Sequence, residues 1–74
     1  MKFIIDTYTK GKKALIRKLS KLKTTLSCED GGEYHQDRGL SQVWIETTWS
    51  ESELDYWLYN QKGIDYIGIC EDKR

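Results

Sequence analysis

The chain has 74 residues, of which 38% are hydrophobic and 12% aromatic, and its formal net charge is zero. This length allows one domain with one small core, so we interpret residues 1–74 as a single α/β domain. The opening segment, MKFIID, contains too few consecutive apolar residues for a signal peptide or a membrane helix. We therefore expect a cytoplasmic protein without a membrane partner.

The zero net charge conceals a strong division along the chain. Residues 1–24 hold eight of the twelve Lys and Arg residues and a single acid, Asp6, which gives this part a net charge of +7. The remaining residues carry four basic and eleven acidic side chains, a net charge of −7. Such an asymmetry indicates electrostatically steered binding and says nothing about the fold.

Hydrophobic periodicity predicts the first two elements. Residues 2–8, KFIIDTY, are largely β-branched and aromatic, which is typical of a strand. From Lys10 to about Lys23 the apolar positions recur at helical spacing, which predicts an amphipathic helix. Its polar side is basic and carries Lys10, Lys13, Arg17 and Lys21, flanked by Lys18.

The middle of the chain leaves one alternative open. Residues 24–28, TTLSC, form either a short strand or the frayed end of the first helix. Residues 29–41 contain three glycines among polar side chains, and this composition predicts a flexible loop. Residues 41–48, SQVWIETT, alternate with the period of two that is typical of a strand.

The next segment carries the clearest helix signal in the chain. Ser50 and Glu53 have the spacing of a capping box, which predicts that a helix begins here. We expect this helix to run to about Gln61. Residues 64–70, IDYIGIC, are then predicted to form the last strand.

The predicted order of elements is β-α-β-β-α-β if residues 24–28 form a strand. This order is the ferredoxin-like α+β arrangement, an antiparallel sheet with two helices on one face, and we favour it. The alternative is β-α-β-α-β with a three-stranded sheet. In the favoured topology Cys28 and Cys70 lie at opposite edges of the sheet, too far apart for a disulfide.

The sequence contains no recognisable catalytic, metal or cofactor motif. The single histidine, His35, falls in the predicted loop, and the two cysteines lack the spacing of a zinc site. Walker A, dinucleotide-binding and calcium-loop patterns are absent from the sequence. We therefore expect a protein that is not an enzyme and uses no metal or cofactor.

Two charged surfaces are the candidate binding sites. The basic helix side has the residue types that contact nucleic-acid phosphates or an acidic protein partner. The second helix places two tyrosines among acids, away from its apolar side, and clustered aromatic residues are enriched at protein interfaces. The candidate protein-interface residues are Glu51, Asp55, Tyr56, Tyr59 and, on the third strand, Trp44.

The opening MKFI and residues 49–64, WSESELDYWLYNQKGI, resemble the smallest phage-encoded anti-CRISPR proteins. Some of these begin similarly and carry a capped amphipathic helix with a tryptophan beside an antiparallel sheet. The resemblance implies a class of small, non-enzymatic inhibitors that occupy a nucleic-acid site or an interface on a host defence or transcription complex. It transfers no binding residue to a position of this sequence.

Three functional hypotheses stay open. The leading one is a phage-type inhibitor that binds a host protein or nucleoprotein complex in the host cytoplasm. The second is a protein that binds nucleic acid directly through the basic first helix. The third is a self-associating structural subunit, a homodimer formed through edge strands or through the oppositely charged faces.

Overall fold

The computed structural model describes residues 1–73, and its elements follow the order β-α-β-β-α-β. The connection between the second and third strands is a single 3₁₀ turn, Gln36–Arg38. The strands and helices are β1 (Lys2–Tyr8), α1 (Thr9–Ser20), β2 (Thr25–His35), β3 (Leu40–Thr47), α2 (Glu51–Tyr59) and β4 (Tyr66–Glu71).

The four strands form one sheet in the order β2-β3-β1-β4, and every neighbouring pair is antiparallel. α1 connects β1 to β2 across β3, and α2 connects β3 to β4 across β1. Each helix thus joins two strands that flank a third, which is the split βαβ arrangement. The predicted ferredoxin-like α+β fold is confirmed, and the three-stranded alternative is wrong.

The core lies between one face of the sheet and both helices. Alternate residues of the two central strands, among them Ile5 and Val43, are fully buried on this face. Leu15 and Leu19 of α1 pack in the same cluster as Leu54, a residue of α2. Burial of each such side chain contributes about 1.5–3 kcal/mol, so the two helices are held on one face by their apolar stripes.

The prediction of a loop over residues 29–41 is wrong for most of that range. Residues 29–35 form the second half of β2, and only 36–39 connect it to β3. β2 pairs on one side only and its register shifts three times, so the two adjacent glycines fit within the strand. At one shift, Gly32 has a φ of +87° and its N–H donates a 2.7 Å hydrogen bond to Asp30 Oδ1.

Other boundaries differ from the predictions by two or three residues. The first helix ends at Ser20, the second ends at Tyr59, and the last strand begins at Tyr66. Cys28 and Cys70 are free thiols on β2 and β4, the two opposite edges of the sheet, as the topology predicted. Within residues 1–73, neither helix has the length and apolar content needed to cross a membrane.

Candidate interaction surfaces

The start of α2 is fixed by the capping box that the sequence predicted. Ser50 Oγ accepts a hydrogen bond from the Glu53 N–H at 3.3 Å, and Glu53 Oε1 accepts one from the Ser50 N–H at 3.1 Å. Because helical residues advance by a constant angle, this start sets the direction of every later side chain. Leu54 and Leu58 therefore face the core, Asp55 and Tyr56 face outward, and the half-buried Trp57 packs against the edge of the core.

Two tyrosines of α2 stand in solvent, as predicted. Tyr56 is 73% exposed and Tyr59 is 82% exposed, the largest fractions among the exposed large hydrophobic side chains of residues 1–73. We call the four exposed candidate residues of this helix the tyrosine surface: Glu51, Asp55, Tyr56 and Tyr59.

The two tyrosines border different grooves. Tyr56 lines a largely apolar groove with Trp49 and Trp57, whose ring centroids are 6.5 Å apart. Tyr59, one helical turn later on the same outward face, borders the groove on the other flank of that face, towards β4. The tyrosine surface therefore has an aromatic flank and a flank that runs along the edge of the sheet.

A second groove separates α2 from the edge strand, and we call it the edge groove. Tyr66 crosses the groove, and its O–H donates a 2.6 Å hydrogen bond to Asp55 Oδ1. Burial, together with this hydrogen bond to the carboxylate, raises the pKa of the Tyr66 phenol. The edge groove is lined by Glu51, Ser52, Asp55, Tyr59, Tyr66, Ile67, Gly68 and Ile69.

No residue of β4 is among the predicted interface candidates, yet β4 contributes to this surface. Ile67, which is 46% exposed, and the half-buried Tyr66 both line the edge groove. The sequence does indicate that β4 has two apolar faces, because the segment IDYIGIC has apolar residues at both odd and even positions. A strand that is apolar on both faces, yet lies at a sheet edge, is typical of a strand with a partner.

The predicted basic residues of α1 and its C-cap, Lys21, separate into two groups. Lys18 is half-buried, and its Nζ donates a 3.3 Å hydrogen bond to the Lys62 carbonyl. The other four are exposed, and no ion pair joins any of them to an acid within residues 1–73. We call this group the basic face: Lys10, Lys13, Arg17 and Lys21.

The basic face and the tyrosine surface meet at one point. Lys10, at the start of α1, lines the same groove as Tyr59, together with Tyr8 and Asp65. The ends of the two oppositely charged surfaces are therefore neighbours, although the sequence separates them by almost fifty positions. A partner seated over this groove would contact residues of both signs.

Trp44 is not part of the tyrosine surface. It lies on the face of the sheet that the helices leave open, where its cross-strand partners are Ile4 and Glu29. The backbone of Gly31 passes directly against the indole, since a Cβ on Gly31 would lie 2.5 Å from Trp44 Nε1. The sheet thus separates Trp44 from the four other candidate interface residues.

The open face around Trp44 is acidic. Asp6 lies beside Gln42 in the register, and Glu46 pairs with Lys2. Desolvation by burial raises the pKa of Asp6, and a hydrogen bond with the Gln42 side chain opposes that shift. Because phosphate groups are repelled by carboxylates, this face is a poor platform for stacking nucleic-acid bases.

The Cys28 thiol lies in an unreactive setting, and the single histidine is exposed. Burial raises the pKa of the Cys28 thiol to about 11, which keeps it protonated near neutral pH. His35 is exposed at the end of β2, with its ring centroid 5.0 Å from that of Tyr34. Within residues 1–73, no group of three His, Cys, Asp or Glu side chains is arranged to hold a metal ion.

Comparison with known proteins adds no relative to this description. No protein-family model, curated protein or solved structure matches the chain. The functional argument therefore depends on the surfaces themselves.

Proposed function

We propose that this chain is a non-enzymatic protein-binding module whose tyrosine surface contacts a partner protein. The observation that carries the proposal is the exposure of Tyr56 and Tyr59 on a helix of only nine residues. A tyrosine ring can remove roughly 150–250 Å² from water when it becomes buried, and tyrosine is enriched among residues that dominate binding energy. Two such rings on one short helix supply an anchor for association.

The charge of α2 indicates the chemistry of the partner. The helix carries Glu51, Glu53 and Asp55 and contains no Lys or Arg. A basic partner surface would be attracted over a distance of about 8–10 Å at ordinary ionic strength, which speeds encounter and selects orientation. We therefore propose a basic partner.

The resemblance to phage-encoded anti-CRISPR proteins supports a more specific form of this proposal. In it the chain is a phage-type inhibitor that acts in the host cytoplasm and occupies a basic site on a host defence or transcription complex. Such complexes bind nucleic acid through Lys and Arg side chains, and an acidic protein surface with exposed rings is complementary to a site of that kind.

Affinity capture with matched variants tests the proposal. The tagged chain and two double variants, Tyr56→Ser/Tyr59→Ser and Lys13→Ser/Arg17→Ser, are incubated with lysate of the cells in which the protein acts. We expect the chain and the basic-face variant to retain one partner in stoichiometric amount, and the tyrosine variant to lose it. The proposal fails if no stoichiometric partner is recovered, or if the tyrosine variant, shown to be folded by circular dichroism, retains it.

The basic face supports a second candidate function, direct binding of nucleic acid. Four exposed cations, Lys10, Lys13, Arg17 and Lys21, form no ion pair with an acid within residues 1–73. Titration of labelled duplex and single strands at two salt concentrations tests this alternative. About four phosphate contacts predict a salt slope of roughly −3 to −4, and Arg17→Glu/Lys21→Glu would abolish binding. Binding that does not change with salt would exclude it.

A further inference from the structure

The outer edge of β4 offers backbone groups that no strand within residues 1–73 uses. The Asp72 N–H donates a 2.9 Å hydrogen bond to the Lys2 carbonyl. Together with the register, this bond determines which residue pairs of β1 and β4 are hydrogen-bonded. Hydrogen-bonded and non-hydrogen-bonded pairs alternate along an antiparallel ladder. Gly68 and Cys70 therefore direct their N–H and C=O groups to β1, whereas Ile69 and Glu71 direct theirs away from the sheet.

The two edges of the sheet differ in how well they are protected against strand addition. β2 shifts register three times and contains two glycines, and such bulges prevent regular pairing with a further strand. The pairing of β4 with β1 shifts register once, between Asp6 and Thr7, and is regular along the rest of β4. It also contains neither lysine nor proline, the residues that commonly protect an exposed edge.

The edge groove sets the side-chain chemistry of an added strand. Side chains of a strand alternate between the two faces of a sheet, so every second residue of a fifth strand would face α2. There it would meet the carboxylates of Glu51 and Asp55 and the ring of Tyr59. Lys or Arg is the complementary side chain at these positions, because it can pair with the carboxylates and stack on the ring.

We propose that an extended, basic segment of a partner protein adds to β4 as a fifth strand, with Lys or Arg at the alternate positions that face α2. This inference rests on the proposed protein-binding function and specifies how the partner is held. Main-chain hydrogen bonds to Ile69 and Glu71 supply affinity, and the edge groove supplies selectivity for cationic side chains.

A second copy of the chain is a poorer occupant of this edge. Two copies paired through β4 would extend one sheet, and both α2 helices would lie on the same face near the junction. The acids of the two tyrosine surfaces would then repel each other, since α2 carries three carboxylates and no cation. The charge of the edge groove therefore favours a foreign basic strand.

Amide exchange measured by NMR tests the mode of binding with a defined probe. The probe is a peptide of about eight residues in which arginine and valine alternate, a length that suits one strand. We expect the peptide to slow exchange at Ile69 and Glu71 and to leave Gly68 and Cys70, already bonded to β1, almost unchanged. A peptide with glutamate in place of arginine, and one N-methylated at every residue and thus without backbone donors, serve as controls and should not bind.

Two variants at one position separate the backbone contribution from the side-chain contribution. Glu71→Pro removes an outward N–H at an exposed site, whereas Glu71→Ala loses the same carboxylate and keeps the N–H. We expect Glu71→Pro to bind the arginine peptide roughly fivefold to tenfold more weakly than Glu71→Ala, the effect of about one main-chain hydrogen bond. Urea unfolding of both variants shows whether the fold is retained.

The proposal is overturned if the amides of Ile69 and Glu71 stay unprotected, if the glutamate peptide binds equally well, or if the two variants bind alike. Protection at these amides without peptide, together with a dimer in sedimentation analysis, would identify a second copy as the occupant and would also overturn it. Loss of a captured partner in the tyrosine variant but not in Glu71→Pro would leave the protein-binding function standing without strand addition.

Discussion

The phenol of Tyr66 donates a 2.6 Å hydrogen bond to Asp55 Oδ1, although the two residues lie eleven positions apart and on different elements. This bond connects the first residue of the edge strand to the outward side of α2. It fixes the width of the edge groove and the direction of one of its carboxylates. The candidate site is therefore a fixed arrangement of helix and strand, and residues of both take part in it.

Replacement of Tyr66 by Phe removes this bond and keeps the ring. We expect Tyr66→Phe to lower the free energy of unfolding by about 1 kcal/mol at pH 7, the usual value of a hydrogen bond. The folded-state pKa of Tyr66 is raised above its ordinary value of 10.0 by burial and by Asp55. Its contribution is therefore complete below pH 10 and declines as the pH rises above that value. Urea unfolding between pH 7 and pH 11 should show the two proteins converging; a constant difference would contradict this account.

The ion pair between Lys12 and Asp30 predicts unequal costs for removing its two members. Lys12 is only 8% exposed, and its Nζ lies 3.0 Å from Asp30 Oδ1. Asp30→Ala leaves the buried ammonium without its partner and the Gly32 N–H without its acceptor, at a cost of about 1–2 kcal/mol. Lys12→Met removes the charge and keeps most of the packed stem, so the loss should be smaller. Chemical denaturation measures both, and equal losses would contradict this account of the pair.

The acid dependence of the same pair gives an independent measurement. The Gly32 N–H, and after it Lys12, hold the pKa of Asp30 below its ordinary value of 3.8. Stability from a depressed carboxyl is present above that ordinary value and is lost as the pH falls through the folded-state value. The folded chain should therefore lose stability below about pH 4 more steeply than Asp30→Ala does, and parallel curves would contradict the role of Asp30.

The sequence predicts the fold well where local signals agree with the tertiary packing. The alternation in residues 41–48 and the capping box at Ser50 predict elements that the structure confirms. The second half of β2 was missed because Gly31 and Gly32 are typical of loops. In the structure, one accommodates the Trp44 indole and the other supplies a positive φ at a bulge. An edge strand tolerates both, because only one side of it must keep regular pairing.

The sequence predicts the candidate site only in part. The phase of α2 correctly predicts that Tyr56 and Tyr59 are exposed, because the helix start is defined locally. The sequence groups Trp44 with these tyrosines, but the face of the sheet that Trp44 occupies depends on strand pairing over long sequence distances. The approach of Lys10 to Tyr59 likewise arises from the tertiary fold. Local periodicity contains no information of this kind.

The contact between Gly31 and Trp44 predicts a specific intolerance to a methyl group. In Gly31→Ala the new Cβ would lie 2.5 Å from the indole Nε1 and 2.7 Å from Cδ1, so the ring or the bulge must move. We expect a loss of about 1–3 kcal/mol in thermal or chemical unfolding, with a change in tryptophan fluorescence. Gly11→Ala is the matched control, since nothing lies within 4 Å of that Cβ, and in a helix it should gain about 1 kcal/mol.

A double-mutant cycle identifies the indole as the cause of that loss. In a Trp44→Ala background the ring is absent, so Gly31→Ala should cost much less than it does in the original chain. Equal costs in the two backgrounds would show that the strand itself, and not the contact with Trp44, requires glycine at position 31.

We expect that removing the charge of Asp6 stabilises the chain. Asp6 lies on a central strand of the sheet, and its side chain is on the face that the helices leave open. Desolvation there raises its pKa above the ordinary value of 3.8. A carboxyl with a raised folded-state pKa opposes folding when it is ionised, and this penalty disappears once the pH falls below its ordinary value. Asp6→Asn keeps a polar group beside Gln42 and removes the charge, so the melting temperature should rise at pH 7 and the gain should shrink towards pH 4. A gain that is independent of pH would mean that packing, and not the ionised carboxylate, limits stability at this position.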